Sequence, residues 1–170
     1  TTTDGFLHLD ADLQDSTNSN SIQFADGVSV SAKTLLTLQS GGSSITYTGQ
    51  ATLNAGAGIV LLEDLQTVSA GTAIVLNADY DAAVDSGSTG TLTLTASKSV
   101  ASNHGSVTVT AFDLDLQGSI SSGTAVVKMT AARSAQTFGL GVTAKQFHLD
   151  NTELQRVSSQ GMAVAGAMSG

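Results

Sequence analysis

Apolar and hydroxyl-bearing residues alternate along much of this chain. In Thr91-Leu92-Thr93-Leu94-Thr95 and Ser106-Val107-Thr108-Val109-Thr110, Leu or Val falls on one side of an extended backbone and a hydroxyl on the other. Both segments predict strands with Leu92, Leu94, Val107 and Val109 turned inward, and the same reasoning turns Val75 inward. Shorter runs predict further strands at residues 21–25, 35–39, 43–48, 59–62, 73–77, 125–129, 147–150 and 162–165. Between them lie Ser40-Gly41-Gly42, Asn103-His104-Gly105, Ser121-Ser122-Gly123 and the stretch from Asp85 to Gly90, residue types that supply the positive φ of tight turns. Residues 150–156 have some helical character, but the segment is too short for more than a turn.

Internal repetition selects among the all-β architectures. Asp-Leu-Gln or Glu-Leu-Gln recurs with its acid at Asp12, Asp64, Asp115 and Glu153. A longer match aligns residues 10–12 and 21–25 with residues 79–81 and 91–95. Recurrence at such periods points to stacked units rather than a closed sandwich. The chain has no Pro in 170 residues, where an average globule carries about 5%. In a parallel solenoid nearly every strand N–H donates to the next coil, so a Pro would remove a ladder bond almost anywhere. Narrow interior columns also explain an aromatic content of 4%. The expectation is an all-β chain, a right-handed parallel β-helix (β-solenoid) with short strands and Gly, Ser and Asn turns, spanning residues 1–170 as a single segment.

Charge and composition narrow the function. A formal charge of -8 with six Lys and Arg cannot neutralise a phosphate track, so nucleic acid is not an expected partner. No run of 18 or more apolar residues occurs, so no membrane insertion by a helix is expected. A mean hydropathy of +0.16, with abundant Val, Ile and Leu, argues against disorder. The absence of Cys excludes a disulfide framework and is compatible with an extracellular setting. The chain begins without Met and ends in mid-pattern, as expected of a mature product or a piece of a longer protein.

Several segments together resemble a known family. They are Asn77-Ala78-Asp79-Tyr80-Asp81, residues 88–94, residues 106–118, Gln136-Thr137-Phe138-Gly139-Leu140-Gly141 and residues 147–157. This series resembles the repeat unit of giant β-helical surface proteins, the filamentous-haemagglutinin-like or autotransporter-adhesin-like repeats of bacteria and related large secreted proteins of algae and protists. The likeness is good from Ala73 to Val164 and weaker before Gly71. The acidic loop of the familiar unit often carries Asp-Gly, where this chain has Asp85-Ser86-Gly87. The resemblance implies a parallel β-helix at the cell surface in a structural or adhesive role, and it brings no catalytic residues.

Candidate chemistry is sparse. Asn77, Asp79 and Asp81 sit at i, i+2 and i+4, with Asp85 and Gly87 following, and on an extended strand the three would share one face. Such a row with loop carbonyls could offer oxygens to calcium, although the closing Glu of an EF-hand and the Gly-Gly-x-Gly-x-Asp of calcium β-rolls are both missing. No cofactor is expected beyond that calcium option. Asp10 with Asp12, and Asp113 with Asp115, are shorter acidic pairs. Paired carboxylates also serve β-helical polysaccharide hydrolases, but Tyr47, Tyr80, Arg133 and Arg156, which could line a sugar cleft, are scattered. His8, His104 and His148 are too far apart for a local ligand motif and are expected at surface positions. No phosphate-binding loop, His-Glu-x-x-His or Gly-x-Ser-x-Gly occurs. The expected role is therefore a non-enzymatic stalk, shaft or filament, extracellular or on the cell surface. Its expected partners are another copy end to end, or the continuation of the same chain, and surface glycans. A carbohydrate-binding or polysaccharide-cleaving β-helix is the alternative.

Overall fold

The computed structural model describes residues 5–12, 20–82 and 90–166. Over them the chain winds as a three-sided parallel β-solenoid. The first coil holds β1 (Leu7–Asp10), β2 (Ile22–Phe24) and β3 (Ser29–Ala32), and the second β4 (Leu35–Gln39), β5 (Ile45–Tyr47) and β6 (Ala51–Ala55). The third holds β7 (Gly58–Leu61), β8 (Leu65–Thr67) and β9 (Ile74–Asn77), and the fourth β10 (Thr91–Leu94), β11 (Ser99–Ala101) and β12 (Val107–Ala111). The fifth holds β13 (Asp113–Leu116), β14 (Ser119–Ser121) and β15 (Val126–Ala131). The sixth adds β16 (Phe138–Leu140), β17 (Phe147–Leu149), α1 (Asn151–Gln155), β18 (Val157–Ser158) and β19 (Gly161–Ala165). Strands pair in parallel with their counterparts one coil on. This gives a first wall β1-β4-β7-β10-β13, a second wall β2-β5-β8-β11-β14-β18 and a third wall β3-β6-β9-β12-β15-β19.

Register sets the period. Ile45 lies beside Leu65, Val30 beside Leu53 and Leu53 beside Leu76, so an uninterrupted coil takes 20 to 23 residues. Insertions between β1 and β2, between β9 and β10 and between β15 and β18 conceal this short period in the sequence. The Asp-Leu-Gln tripeptides do not mark it. Asp64 precedes β8 in the second wall, Asp115 lies inside β13 in the first, and Glu153 is in α1. Nor does the longer match, which aligns β2 of the second wall with β10 of the first.

Inward side chains stack into columns. Leu36, Ile59, Leu92 and Leu114 make one, Leu38, Leu61, Leu94 and Leu116 the next, and Val30, Leu53, Leu76, Val109 and Met129 a third on the opposite wall. These residues are 0 to 7% exposed, and burying each Leu, Ile or Val stabilises the fold by about 1.5–3 kcal/mol. Leu92, Leu94, Val107 and Val109 point inward as the alternation predicts. Val75 does not. In Ile74-Val75-Leu76 three apolar residues run together, and Ile74 and Leu76 take the buried places because register aligns them with Ala51 and Leu53. Outside, Asn77 Nδ2 donates to Asn54 Oδ1 at 2.7 Å, and Asn54 Nδ2 donates to Ser29 and Ser31 Oγ at 3.2 Å. Polar side chains thus form a ladder along the same axis as the backbone bonds.

The sixth coil is built differently. β16 and β17 pair in parallel, Phe138 beside Phe147 and Leu140 beside Leu149. Phe147 N–H donates to the Thr137 carbonyl on the β16 side, whereas His148 N–H points the other way and donates to Asp113 Oδ1 at 3.0 Å. β17 therefore lies between β13 and β16. Side chains replace backbone partners across the β13–β17 seam. Besides Asp113, Glu153 Oε1 accepts the Leu116 N–H at 3.0 Å and the Arg156 guanidinium donates to the Leu116 carbonyl. The loop between β16 and β17 doubles back over Gly139, where a Cβ would stand 1.8 Å from the Thr143 carbonyl oxygen.

Candidate functional site

The densest cluster of polar chemistry sits at the corner between the third and first walls. β9 ends at Asn77, Ala78 fills the core, and the chain then turns, carrying Asp79 under the later coils. Asp79 is buried, and Arg133, just beyond β15, reaches back so that its Nε donates to Asp79 Oδ2 at 2.7 Å. The guanidinium lies 4.6 Å over the Phe112 ring, a placement that a ring quadrupole favours. Gln136 completes the arrangement, since its Oε1 accepts the Arg133 N–H at 3.2 Å and its Nε2 donates to the Phe112 carbonyl. Gly90 packs so closely on Asp79 that a Cβ there would stand 2.3 Å from the Asp79 Cβ. Phe112, Arg133, Ser134, Ala135, Gln136 and Gln146 line an adjoining cleft of about 230 Å³.

The three described members of the acidic row do not share a face. Because the strand ends at Asn77, their side chains diverge: Asn77 to Asn54, Asp79 to Arg133, and Asp81 to Lys33 Nζ at 3.2 Å. Asp85 lies outside the described residues. Among the described residues no group of three or more His, Asp or Glu side chains could hold a metal ion. Asp79 and Asp81 each face a cation rather than one another, so this corner does not set one protonated carboxyl against one ionised carboxylate across a cleft, as glycoside cleavage requires.

The other candidates are spread over the molecule. His8 points outward from β1, and His148 lies on β17, where its Nε2–H donates to the Gly141 carbonyl at 2.9 Å. His104 holds φ +69° in the corner before β12, and its Nδ1 accepts the Thr124 N–H at 3.3 Å. Tyr47 is buried against Phe24, with ring centroids 4.7 Å apart, while Tyr80 is 66% exposed. Arg156 borders a second cleft of about 290 Å³ with Lys98, Ser97, Ser99, Gln117 and Ser119. Lys98 is held there by Glu63 at 2.5 Å. Of the shorter acidic pairs, Asp10 Oδ1 accepts the Asp12 N–H at 2.8 Å, Asp113 anchors β17, and Asp115 accepts from Gln117 Nε2 at 3.2 Å.

Two functional arrangements escape sequence reasoning. Asp79 and Arg133 are 54 residues apart and meet because β9 and β15, which they follow, flank β12 in the third wall. Asp113 and Glu153 serve as substitute ladder acceptors. The one local signal for the second arrangement is the Asp150-x-x-Glu153 spacing of a capping box, which fixes Glu153 where it can reach Leu116. No family model matches the chain, and neither the curated proteins nor the solved structures include a match to it.

Proposed function

We propose that this chain is a structural and adhesive β-solenoid segment of an extracellular surface appendage, a stalk, shaft or filament, akin to the giant β-helical surface repeats it resembles. The observation that supports this reading is the coil-to-coil register. Parallel in-register stacking lengthens a rod by about 5 Å per coil, while the outer columns present Ser, Thr, Asn and Gln to the surroundings. Such a rod gives distance and surface, and its partners are further coils, in the same polypeptide or another copy, together with surface glycans. The test is immunogold labelling of thin sections of the source cells with an antibody to the chain. Label on fibres or at the outer surface is expected, and label confined to the cell interior overturns the reading. Release of reducing ends from polysaccharide by the purified chain would replace it with a carbohydrate-cleaving module.

A further inference from the structure

The solenoid ends unevenly. Because β17 lies on β13 and β16 lies beyond β17, the first wall rises one strand above the second and third, which end at β18 and β19 among the described residues. β16 thus fills the place where the first strand of a seventh coil would go. The next places on the helical ramp that no described strand fills lie over β18, then over β19, then over β16.

That edge is chemically suited to a parallel strand. Ile74 and Ala78 N–H donate to the Ser106 and Thr110 carbonyls one coil on, while Ala132 N–H donates back to Ala111, so inward residues of this wall donate forward and outward ones back. With Met162 in register with Val127, the N–H groups of Met162 and Val164 turn away from β15. Inward side chains are uncovered there. Leu140 is 50% exposed and Met162 41% exposed, although their column neighbours Leu149 and Val127 are fully buried. At the other end, the outer edges of β1, β2 and β3 have no strand partner among the described residues, and Leu7, Leu9, Ile22 and Phe24 point inward half-buried.

We propose that a second copy of this chain seats its first coil on this edge, turned by one third of a coil, with β1 on β18, β2 on β19 and β3 on β16. The occupant must offer three open parallel edges in ramp order with apolar inward residues, and the first coil of this same chain does so. The turn follows from β16. A copy stacked in phase would set β1 on β16 and leave β2 and β3 one strand, about 5 Å, above β18 and β19, with facing N–H and C=O groups unpaired. The turned copy leaves no gap and covers Leu140 and Met162. The contact is heterologous and does not close, so it propagates as a filament. The inference rests on the structural reading above and adds its interface and phase.

The chain has no Cys, so paired single-Cys variants report the phase. Ser158→Cys mixed with His8→Cys should oxidise to a disulfide-linked dimer, whereas Ser158→Cys mixed with Gln23→Cys should not; all three positions are exposed and point outward. Sedimentation velocity of the unaltered chain should show concentration-dependent association. Met162→Pro removes an N–H that faces the open edge, together with an exposed apolar side chain, and should weaken that association at least tenfold while the far-ultraviolet circular dichroism stays unchanged. Linking through Gln23→Cys instead overturns the turned phase. A chain that stays monomeric at every concentration, with neither pair linking, overturns stacking between copies, and the immunogold result still decides the structural reading separately.

Discussion

Tyr47 occupies an inward place in the second wall, fully buried between coils, and its hydroxyl has no hydrogen-bond partner. A buried unsatisfied hydroxyl costs about 1–3 kcal/mol, so Tyr47→Phe should stabilise the fold by about 1 kcal/mol or more in urea unfolding, and a lower midpoint would refute this. Burial also pushes the Tyr47 pKa well above its ordinary 10.0. The folded state therefore resists ionisation while the unfolded chain ionises, so stability is full below pH 10.0 and falls as pH rises above it. In Tyr47→Phe that part of the alkaline loss should be absent. Arg133 differs in that its removal takes the guanidinium from a buried carboxylate. Arg133→Met should cost about 3–5 kcal/mol by leaving Asp79 buried without its guanidinium, and Asp79→Leu added to it should restore most of the loss. A double variant no more stable than the single would show that the pair acts through packing rather than charge.

α1 shows how an element of five residues holds a coil. Asp150 is its N-cap, accepting the Glu153 N–H at 2.8 Å, and Glu153 Oε2 accepts the Asp150 N–H at 3.0 Å. The backbone N–H of Glu153 holds the Asp150 carboxyl below the usual range, with help from the Thr152 N–H and the charges of His148 and Arg156. A lowered folded pKa gives stability that is present above the unfolded value of 3.8 and is lost as pH falls through the folded one. Asp150→Ala should lower the melting temperature by a few degrees at neutral pH, and the difference should shrink in acid. An undiminished difference at low pH would mean that the carboxylate charge is not what caps the helix. The alternation of Thr with Leu or Val placed β10 and β12 correctly because each has one apolar and one hydroxyl side. β1, β3, β6, β8, β11, β13, β14, β16 and β18 were not among the expected strands, since runs such as Ser119-Ile120-Ser121 and Asp113-Leu114-Asp115-Leu116 are short or acidic and become strands only against neighbouring coils.

At the scale of the whole molecule, each coil is stabilised chiefly by the coils on either side, so opening should spread from the ends. Amide hydrogen exchange should be slowest in β6, β7, β9 and β10, whose inward residues are almost wholly buried, and fastest in β1, β2, β18 and β19. Uniform protection from end to end would mean a single cooperative unit instead. The sequence by itself determined the all-β parallel solenoid: period-2 patterning, absent Pro and Gly, Ser and Asn corners are local constraints that every coil must satisfy. It also suggested stacking, but with the wrong periods, because corner insertions break a 20 to 23 residue repeat into unequal lengths. Only the tertiary structure decided that Val75 faces outward, that Asp79 belongs to Arg133 rather than to Asp81, and that β17 slides between β13 and β16. Each depends on which residue lies one or two coils away, and that is set by the register of the whole stack.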